Sequence, residues 1–408
     1  MKTQLATSVL TCGLTGILVL LSGAPVSAAG KSPRMKNIIV ASKDGTFYGW
    51  PANNGVWTFD GGREILVGFS RGKFEERTGH NTPGQAEPAK GIDSLLGRSL
   101  DGGATWTVED PANFVGDGGA TMPAPGGIGF MQPGFAFRAE GVGYHGSDAP
   151  SSRFYYSEDR GRTWKGPFAF TRLMEDPNLK DMDCTTRTGY LVTGEDSCLV
   201  VMSARLKKNG GGRDKTFVAE TTDGGKTFHF VSWVAPLSDP YRAVMPAVGR
   251  LKDGTILAAL RRRIPGNDKE PCWVDCYASK DNGRTWSFLS KVGETGTGNG
   301  NPPGLVVLKD GRVACAYGDR SRVKMFARLS SDGGKSWENE IVLRNDFQPD
   351  KFGDKDFGYP RLVQNSKGEL VTIYYWATKD RFEQHIAATL WEPSSGPGQP
   401  ERRAKSAP

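Results

Sequence analysis

Short apolar segments separated by glycine-rich turns run along almost the whole chain, whereas stretches with helical periodicity are scarce. Residues 199–204 and 256–260 are typical, because each is a mostly apolar run that is followed by an arginine. Apolar segments of this length between turn signals are typical of β-strands. The 54 glycines among 408 residues fit the many turns that such strands need. The sequence therefore predicts an all-β fold.

An eight-residue motif recurs five times in these segments, with the pattern Ser/Thr-x-Asp-x-Gly-x-Thr/Ser-aromatic. Its aspartates are 58, 64, 58 and 51 residues apart, and they are Asp101, Asp159, Asp223, Asp281 and Asp332. An aspartate and a glycine between two strands predict a hairpin, because glycine accepts positive φ and the carboxylate accepts turn N–H groups. The spacing indicates an array of similar units. We interpret the motifs as structural turns rather than as catalytic aspartates or calcium loops.

The motif resembles the Asp-box of the sialidase superfamily, which is also called the bacterial neuraminidase repeat. The resemblance covers all five motifs, and it implies a six-bladed β-propeller of the sialidase type. It is more specific for the fold than for a reaction, because Asp-boxes lie away from active sites and recur in proteins that are not enzymes.

The resemblance also suggests how the ring closes. A degenerate sixth motif, with Asp44 followed by Gly45, lies 57 residues before the first complete motif. The last unit has no motif, so residues 37–42 are expected to pair with it as the outer strand of a shared blade. The propeller is then expected to span residues 35–392, with a seventh, irregular blade as the alternative.

The two ends of the chain differ from the repeat region. Lys2, the apolar run at residues 17–21 and the small residues 26–28 predict a signal peptide over residues 1–28. A secreted or periplasmic protein is therefore expected. The apolar run is too short and too interrupted to predict a stable membrane anchor. Residues 393–408, which are rich in proline, glycine and serine, are expected to form a disordered tail.

Five cysteines follow the predicted signal peptide. Cys184 and Cys198 flank one strand-turn-strand unit and could form a disulfide in an exported protein. Cys272 and Cys276 lie too far apart along a strand to bridge. The alternative is that all five, including Cys315, are small buried apolar residues. Neither spacing suggests zinc, and no metal or cofactor is expected.

In a propeller, the starts of the inner strands and the ends of the second strands surround one mouth of the central channel. Polar residues at these positions are candidates for substrate binding, and they include Asn53, Asn54, Arg71, Asp183, Arg187, Arg205, Arg242, Arg261, Arg262, Asn301, Asp319, Arg320 and Arg361. Guanidinium groups bind carboxylate, sulfate or uronate groups bidentately. The arginines and the net charge of +7 predict an anionic glycan as the partner. For a single arginine, a role in solubility is the alternative.

No basic stretch with interleaved aromatic residues indicates nucleic-acid binding.

The resemblance implies specific catalytic candidates. Sialidases hold the sialic-acid carboxylate with three arginines, and they use a Tyr/Glu pair as the nucleophile and an aspartate as the general acid, on a mobile loop of the first blade. Arg242 and Arg361 are placed like the carboxylate-binding arginines, and Tyr359 is placed like the nucleophile. The loop at residues 72–97 occupies the place of the acid's loop. Its candidates for the acid are Glu87, Asp93 and His80, with Glu75 and Glu76 as rivals.

The sequence also departs from the sialidase pattern. Sialidases begin the first blade with an aromatic-Arg-Ile-Pro motif, but residues 50–57 contain no arginine. Arg71 could supply the missing guanidinium, whereas Arg263 in Arg-Ile-Pro follows a second strand and does not match that position.

Two hypotheses remain: an exported, exo-acting glycoside hydrolase for a terminal acidic sugar, and a non-catalytic, lectin-like propeller. Hydrolysis requires two carboxyl groups or an equivalent pair at one glycosidic bond. Either protein is expected to be a monomer.

Overall fold

The computed structural model describes residues 34–76, 93–114, 120–141, 152–185, 187, 189–206, 214–266 and 269–393. These residues form six β-sheets arranged as a six-bladed β-propeller, which confirms the predicted fold class. The predicted signal peptide and all but the first residue of the predicted tail lie outside the described residues. His80 and Glu87 also lie outside them. Among the described residues, no helix has the length and apolar character needed to cross a membrane.

Blades I to III occupy the first half of the ring. Blade I consists of β2 (Thr46–Gly49), the helical turn α1 (Pro51–Asn54), β3 (Val56–Phe59), β4 (Glu64–Lys73), β5 (Asp93–Ser99) and β6 (Thr107–Glu109). Blade II consists of β7 (Ala136–Gly141), β8 (Ser152–Ser157) and β9 (Lys165–Ala169). Blade III consists of β10 (Met182–Cys184), β11 (Tyr190–Val192), β12 (Cys198–Leu206), β13 (Lys215–Thr221) and β14 (His229–Trp233). Short 3-10 turns span Asp60–Gly62, Leu173–Glu175 and Pro177–Leu179.

Blades IV to VI each contain four antiparallel strands. Blade IV consists of β15 (Arg242–Arg250), β16 (Ile256–Arg263), β17 (Cys272–Ser279) and β18 (Ser287–Gly296). Blade V consists of β19 (Gly304–Val307), β20 (Val313–Asp319), β21 (Lys324–Ser330) and β22 (Ile341–Arg344). Blade VI consists of β23 (Gly358–Gln364), β24 (Leu370–Thr378), β25 (Arg381–Trp391) and β1 (Met35–Ala41).

The ring closes through the N-terminal strand, as the sequence predicted. Strand β1 pairs antiparallel with β25 as the outer strand of blade VI, with Ile38 opposite Ala388. The degenerate motif was interpreted wrongly, because Asp44 lies in the connection from β1 to β2. That connection joins two different blades, whereas each complete motif joins the third and fourth strands of one blade.

The first Asp-box shows how the motif stabilises its turn. Oδ1 of Asp101 accepts hydrogen bonds from the hydroxyl of Ser99 at 2.8 Å and from the main-chain N–H of Thr105 at 2.9 Å. Its Oδ2 accepts from the Thr105 hydroxyl at 2.7 Å, and the indole of Trp106 donates to the carbonyl of Gly103. Burial acts to raise the pKa of Asp101, but these hydrogen bonds outweigh it and lower the pKa to about 2. This pattern fits the structural role that the sequence predicted.

Blade II departs from the pattern that the sequence suggested. The sequence predicts its inner strand at residues 133–137 and its second strand at residues 141–145, of which residues 142–145 lie outside the described residues. Strand β7 instead pairs directly with β8, the strand that enters the Asp-box, so β7 takes the place of the second strand. Within the described residues, blade II has three strands.

The five cysteines among the described residues are free and buried, so the suggested disulfide between Cys184 and Cys198 was wrong. Cys184 lies opposite Ala204 on β12, whereas Cys198 begins that strand. Six residues of a strand separate them by roughly 20 Å, far beyond the span of a disulfide. Burial raises the pKa of the Cys184 thiol to about 12. The alternative, small buried apolar residues, is confirmed.

Candidate active site

The inner strands are irregular where they begin at the mouth opposite the Asp-boxes. Helical turn α1 separates β2 from β3, and the pairing of β15 and of β23 with their neighbours shifts close to the strand starts. Trp50, Met245 and Tyr359 have φ of 56°, 53° and 50°, and each precedes a proline. Positive φ costs a non-glycine residue of the order of 1–3 kcal/mol, and such residues concentrate at functional sites. The bulges therefore mark this mouth as the candidate site.

A buried carboxylate at this mouth is surrounded by arginines from blades III and IV. Both Nε and Nη2 of Arg242 donate to Oδ2 of Asp214, the former at 2.9 Å. Four more guanidinium groups interact electrostatically with the Asp214 carboxylate, and they belong to Arg187, Arg205, Arg261 and Arg263. We call these six residues the Asp214 cluster. Asp183 lies opposite Arg205 in strand register, so the arginines outnumber the carboxylates of this group even when Asp183 is included.

Burial controls the ionisation of the cluster. It raises the pKa of Asp214 to about 6, although the positive charges of Arg205 and Arg261 act to lower it. Burial and the like charges of Arg261 and Arg263 lower the pKa of Arg242 to about 9. At neutral pH Asp214 is ionised and Arg242 is protonated, so the cluster has a surplus of positive charge.

Tyr359 lies between this cluster and blade V. Nη1 of Arg261 donates to the Tyr359 hydroxyl at 3.3 Å. The guanidinium carbons of Arg261 and Arg320 each lie 5.9 Å from the centre of the Tyr359 ring. The side chain of Asn301 accepts a hydrogen bond from the main-chain N–H of Tyr359 at 2.8 Å. Asn301 thereby holds the strained backbone, and two arginines flank the phenol.

A second buried carboxylate lies on the other side of Tyr359. Nη2 of Arg320 donates to Oδ1 of Asp356 at 2.9 Å, and the hydroxyl of Tyr375 donates to the same oxygen. The rings of Tyr359 and Tyr375 are in edge contact, with centres 5.9 Å apart. Burial and the charge of Asp356 raise the pKa of Tyr375 well above its usual value. Tyr359 therefore lies between two buried carboxylates. Arg261 lies between Tyr359 and Asp214, and Arg320 lies between Tyr359 and Asp356.

Two of the predicted arginines, Arg187 of the Asp214 cluster and Arg361, contact helical turn α1. Nε of Arg187 donates to the side-chain oxygen of Asn53 at 2.8 Å. Arg361 donates to the main-chain carbonyls of Pro51 and Ala52, the former at 3.3 Å. Burial lowers the pKa of Arg361 to about 10. The structure therefore gives Arg361 partners within the fold, and its role in carboxylate binding stays a prediction.

Two predicted binding residues, Arg262 and Asp319, also have charged partners within the protein. Arg262 contacts Asp239 and Asp275 rather than the Asp214 cluster, because alternate residues of β16 point to opposite faces of the sheet. The carboxylate of Asp319 accepts hydrogen bonds from the N–H groups of the next turn and from the side chain of Arg322.

Of the candidates Glu87, Asp93 and His80 for the general acid, Asp93 alone lies within the described residues, where it stands at the start of β5. It pairs with the partly exposed Arg71 at 2.6 Å, across neighbouring strands. The rivals Glu75 and Glu76 pair with lysines, at 3.5 Å from Lys73 and 2.7 Å from Lys351 respectively.

A further buried polar group joins blades I and II. Nη2 of Arg138 donates to the side chains of Asn54, Ser94 and Glu140 at 2.8, 3.0 and 3.0 Å. The Arg138 guanidinium carbon lies 4.1 Å from the centre of the Phe114 ring. Glu140 stands near the end of β7, the second strand of blade II, and the ends of second strands are where the sequence analysis looks for binding residues. Glu140 was not among the candidates, because the sequence predicts this strand at residues 141–145.

Sequence reasoning also missed Asp214 and Asp356. Asp214 directly precedes β13, the third strand of blade III, and third strands begin at the same mouth as inner strands. Asp356 lies two residues before inner strand β23. Extending the search to the starts of third strands and to the residues before inner strands would have found both.

Comparison with known proteins supports the fold. A family model described as a BNR repeat-like domain matches residues 135–372. Among solved structures, a protein of unknown function from Dyadobacter fermentans aligns with a TM-score of 0.65 and 20% identity, over 89% of this chain and 99% of that chain. A search of curated proteins finds none that matches.

Two enzymes are also similar in fold. An α-L-arabinanase from Penicillium chrysogenum, solved with arabinobiose, has a TM-score of 0.56 at 15% identity, over 88% of this chain and 98% of that chain. The Hadza microbial sialidase Hz136 has a TM-score of 0.55 at 16% identity, over 84% of this chain and 65% of that chain. At such low identities, the similarity shows the propeller fold alone.

Proposed function

The chain belongs to the BNR repeat-like family, and from this premise we propose that it is an exported, exo-acting glycoside hydrolase that removes a terminal acidic sugar from a glycan. The observation that carries the proposal is the surplus of guanidinium groups in the Asp214 cluster. Arginines that outnumber their carboxylate partners can bind a carboxylate or sulfate group of a ligand.

Tyr359 is the proposed nucleophile, by resemblance to the sialidases. Its hydroxyl would give its proton to a base, for which the flanking carboxylates of Asp214 and Asp356 are the candidates, and its oxygen would bond to the anomeric carbon as the bond to the leaving-group oxygen breaks. A general acid would protonate the leaving-group oxygen. Water would then release the sugar from the glycosyl-tyrosine. Arg261 donates to the Tyr359 hydroxyl and can stabilise charge that develops during the attack. Asp93, Glu87 and His80 remain the candidates for the general acid.

A lectin-like role is the second candidate, and a specific observation favours it. Asp93 and Asp319, two of the carboxylates that could serve hydrolysis, are paired with Arg71 and Arg322. A mouth lined only by paired carboxylates, arginines and aromatic rings could bind a glycan without cleaving it.

Sugar release distinguishes the two functions. The wild-type protein is incubated with sialylated, uronate-containing and sulfated glycans, with arabinobiose as a neutral comparison, and free monosaccharide is measured. We expect release from at least one acidic glycan and none from arabinobiose. Binding of an acidic glycan without release would identify the lectin-like protein. If no acidic glycan is bound or cleaved, the proposed function is wrong.

The Tyr359→Phe variant tests the nucleophile. Loss of the attacking oxygen should lower kcat/KM by at least about 100-fold, the scale of removing one group that takes part directly in catalysis. Tyr317→Phe is the matched control, because it also removes one buried tyrosine hydroxyl. The Tyr317 hydroxyl donates to Glu340 at 2.8 Å, and Glu340 directly precedes outer strand β22 and is not a residue of the candidate site. Comparable activity in Tyr359→Phe and the wild type would exclude Tyr359 as the nucleophile.

A further inference from the structure

The connection from blade IV to blade V contacts two arginines of the Asp214 cluster directly. It begins after β18 with residues 297–300, which we call the Asn299 turn. Nη2 of Arg261 donates to the main-chain carbonyl of Asn299. Nη1 of Arg263 donates to the side-chain oxygen of the same residue. Asn299 is exposed, so one residue at the surface contacts two guanidinium groups of the cluster.

The main chain of the Asn299 turn is held against blade IV. The thiol of Cys272, at the start of β17, donates to the carbonyl of Gly298 at 3.3 Å. Gly298 and Gly300 have φ of 70° and 59°, a conformation that glycine adopts readily. A Cβ added at Gly300 would lie 2.5 Å from the Cβ of Cys272. The carbonyls of Gly298 and Asn299 therefore face donors of blade IV, which fixes the position from which the Asn299 side chain extends.

The bond from Arg263 determines how the Asn299 amide is oriented. A guanidinium group donates hydrogen bonds and accepts none, so the atom of the amide that faces Arg263 is the oxygen. The amide nitrogen belongs to the same small planar group and has two N–H donors. Arg263 is itself partly exposed. A ligand can therefore reach both side chains, and a negatively charged group at Arg263 lies within reach of the amide nitrogen.

We propose that Asn299 is a substrate-binding residue, which donates from its amide nitrogen to the acidic group of the terminal sugar while Arg263 binds that group. Hydrogen bonds to an ionised group are stronger than those between neutral groups, so an uncharged donor beside the arginines adds affinity for a carboxylate or sulfate. This inference rests on the proposed function, because it assumes that the acidic group binds at the Asp214 cluster.

The contrary case is that Asn299 only occupies Arg263. The side-chain oxygen would then compete with the ligand for the guanidinium, and an acidic sugar would have to displace it. The two cases predict opposite effects when the side chain is removed. Loss of a donor weakens the binding of an acidic sugar, whereas loss of a competitor leaves the binding unchanged or makes it tighter.

Asn299→Ala separates the two cases. The probes are sialyllactose, digalacturonic acid and galactose 6-sulfate, and we measure kcat/KM, or the association constant where there is no cleavage. For the probes that the wild type binds, the measured constant should fall about tenfold in Asn299→Ala, the scale of one hydrogen bond to a charged group. The variant keeps the main-chain carbonyl that Arg261 binds, so the turn should stay folded, and an unchanged melting temperature checks this.

Asn299→Asp tests the position of the side chain. A carboxylate there would pair with Arg263 and repel the acidic group, so the constant should fall about 100-fold. Asn339→Asp is the matched control, because it changes the net charge equally. Asn339 is exposed and precedes outer strand β22, at the end of blade V opposite the mouth. Its constants should match those of the wild type.

Each of the other outcomes overturns a definite statement. Equal or tighter binding in Asn299→Ala would show that Asn299 only occupies Arg263. Equal losses in Asn299→Asp and Asn339→Asp would show an effect of net charge rather than of position. Either result overturns the role of Asn299 alone. A wild-type protein that neither binds nor cleaves any of the three probes overturns the proposed function, and the role of Asn299 with it.

Discussion

A guanidinium group at the mouth of this ring serves the ligand or the fold, and its partners indicate which. Arg361 donates to two main-chain carbonyls of helical turn α1, so its charge connects blade VI to blade I. The arginines of the Asp214 cluster have one buried carboxylate in common, although Arg187 also donates to Asn53 of that turn and Arg261 donates to the carbonyl of Asn299. Sequence position alone could not separate these cases, because both kinds of arginine stand at strand ends.

Replacing Arg361 with alanine should therefore destabilise the protein. Two hydrogen bonds from a partly buried charged donor would be lost, and we expect the free energy of unfolding to fall by about 2–4 kcal/mol. Denaturant-induced unfolding measures this change. Arg71→Ala is the control, because Arg71 and its partner Asp93 are 37% and 64% exposed, and an exposed ion pair contributes at most about 1 kcal/mol. A loss in Arg361→Ala no larger than in the control would show that these contacts do not stabilise the fold, and it would favour the predicted role of Arg361 in ligand binding.

The sequence located Tyr359, Arg242 and Arg261 at the mouth but not the carboxylates around them. Strand ends can be predicted from apolar runs, so residues on them can be assigned to one end of a blade. Asp214 and Asp356 precede strands, and their significance depends on arginines that are distant in sequence. Burial and partner choice are properties of the packed ring, which no local pattern specifies.

At the scale of the element, the Asp-boxes make the fold sensitive to acid. Hydrogen bonds lower the pKa of Asp101 and of Asp332 to about 2 in the folded protein, against the effect of burial. In the unfolded chain an aspartate has a pKa of about 3.9. As the pH falls from about 4 to 2, the unfolded chain takes up these protons first, so the stability contributed by the boxes is lost in that interval.

Asp101→Asn and Asp332→Asn test this prediction through the melting temperature between pH 5 and pH 2.5. Each variant should melt lower than the wild type at pH 5, and its melting temperature should fall less steeply towards pH 2.5. The boxes belong to blades I and V, so the two reductions in slope should add in the double variant. Slopes equal to that of the wild type would mean that other carboxyl groups cause the acid sensitivity.

The boxes also explain where the prediction of elements succeeded. Each box sets the third and fourth strands of its blade, because the turn bonds are local and repeated. Blade II shows the limit: the sequence identifies its box at Asp159, but it predicts an inner strand at residues 133–137, and β7 is the second strand. The alternation of apolar residues in that region suits either strand position, and only pairing with β8 identifies β7 as the second strand.

At the scale of the whole molecule, closure depends on one non-covalent pairing between the ends of the ring. Strand β1 pairs with β25, and its buried Val40 packs towards blade I, where a Cβ added at Gly97 would lie 2.8 Å from a Val40 methyl carbon. Strand β1 therefore completes blade VI and seals it against blade I. Without β1, the long strand β25 would expose its hydrogen-bonding edge.

A circular permutant should fold, whereas a protein that lacks residues 35–41 should not. Met35 lies opposite Trp391, so a short glycine-rich linker from Glu392 to Arg34 would make the closing pair a covalent hairpin. New ends between Asp253 and Gly254 would fall in an exposed turn of blade IV, where such cuts are best tolerated.

Circular dichroism melting and gel filtration should show a cooperative, monomeric permutant and an unfolded or aggregated deletion protein. A deletion protein that melts like the wild type would show that the ring does not need β1, and the edge of β25 would then have to be covered in some other way.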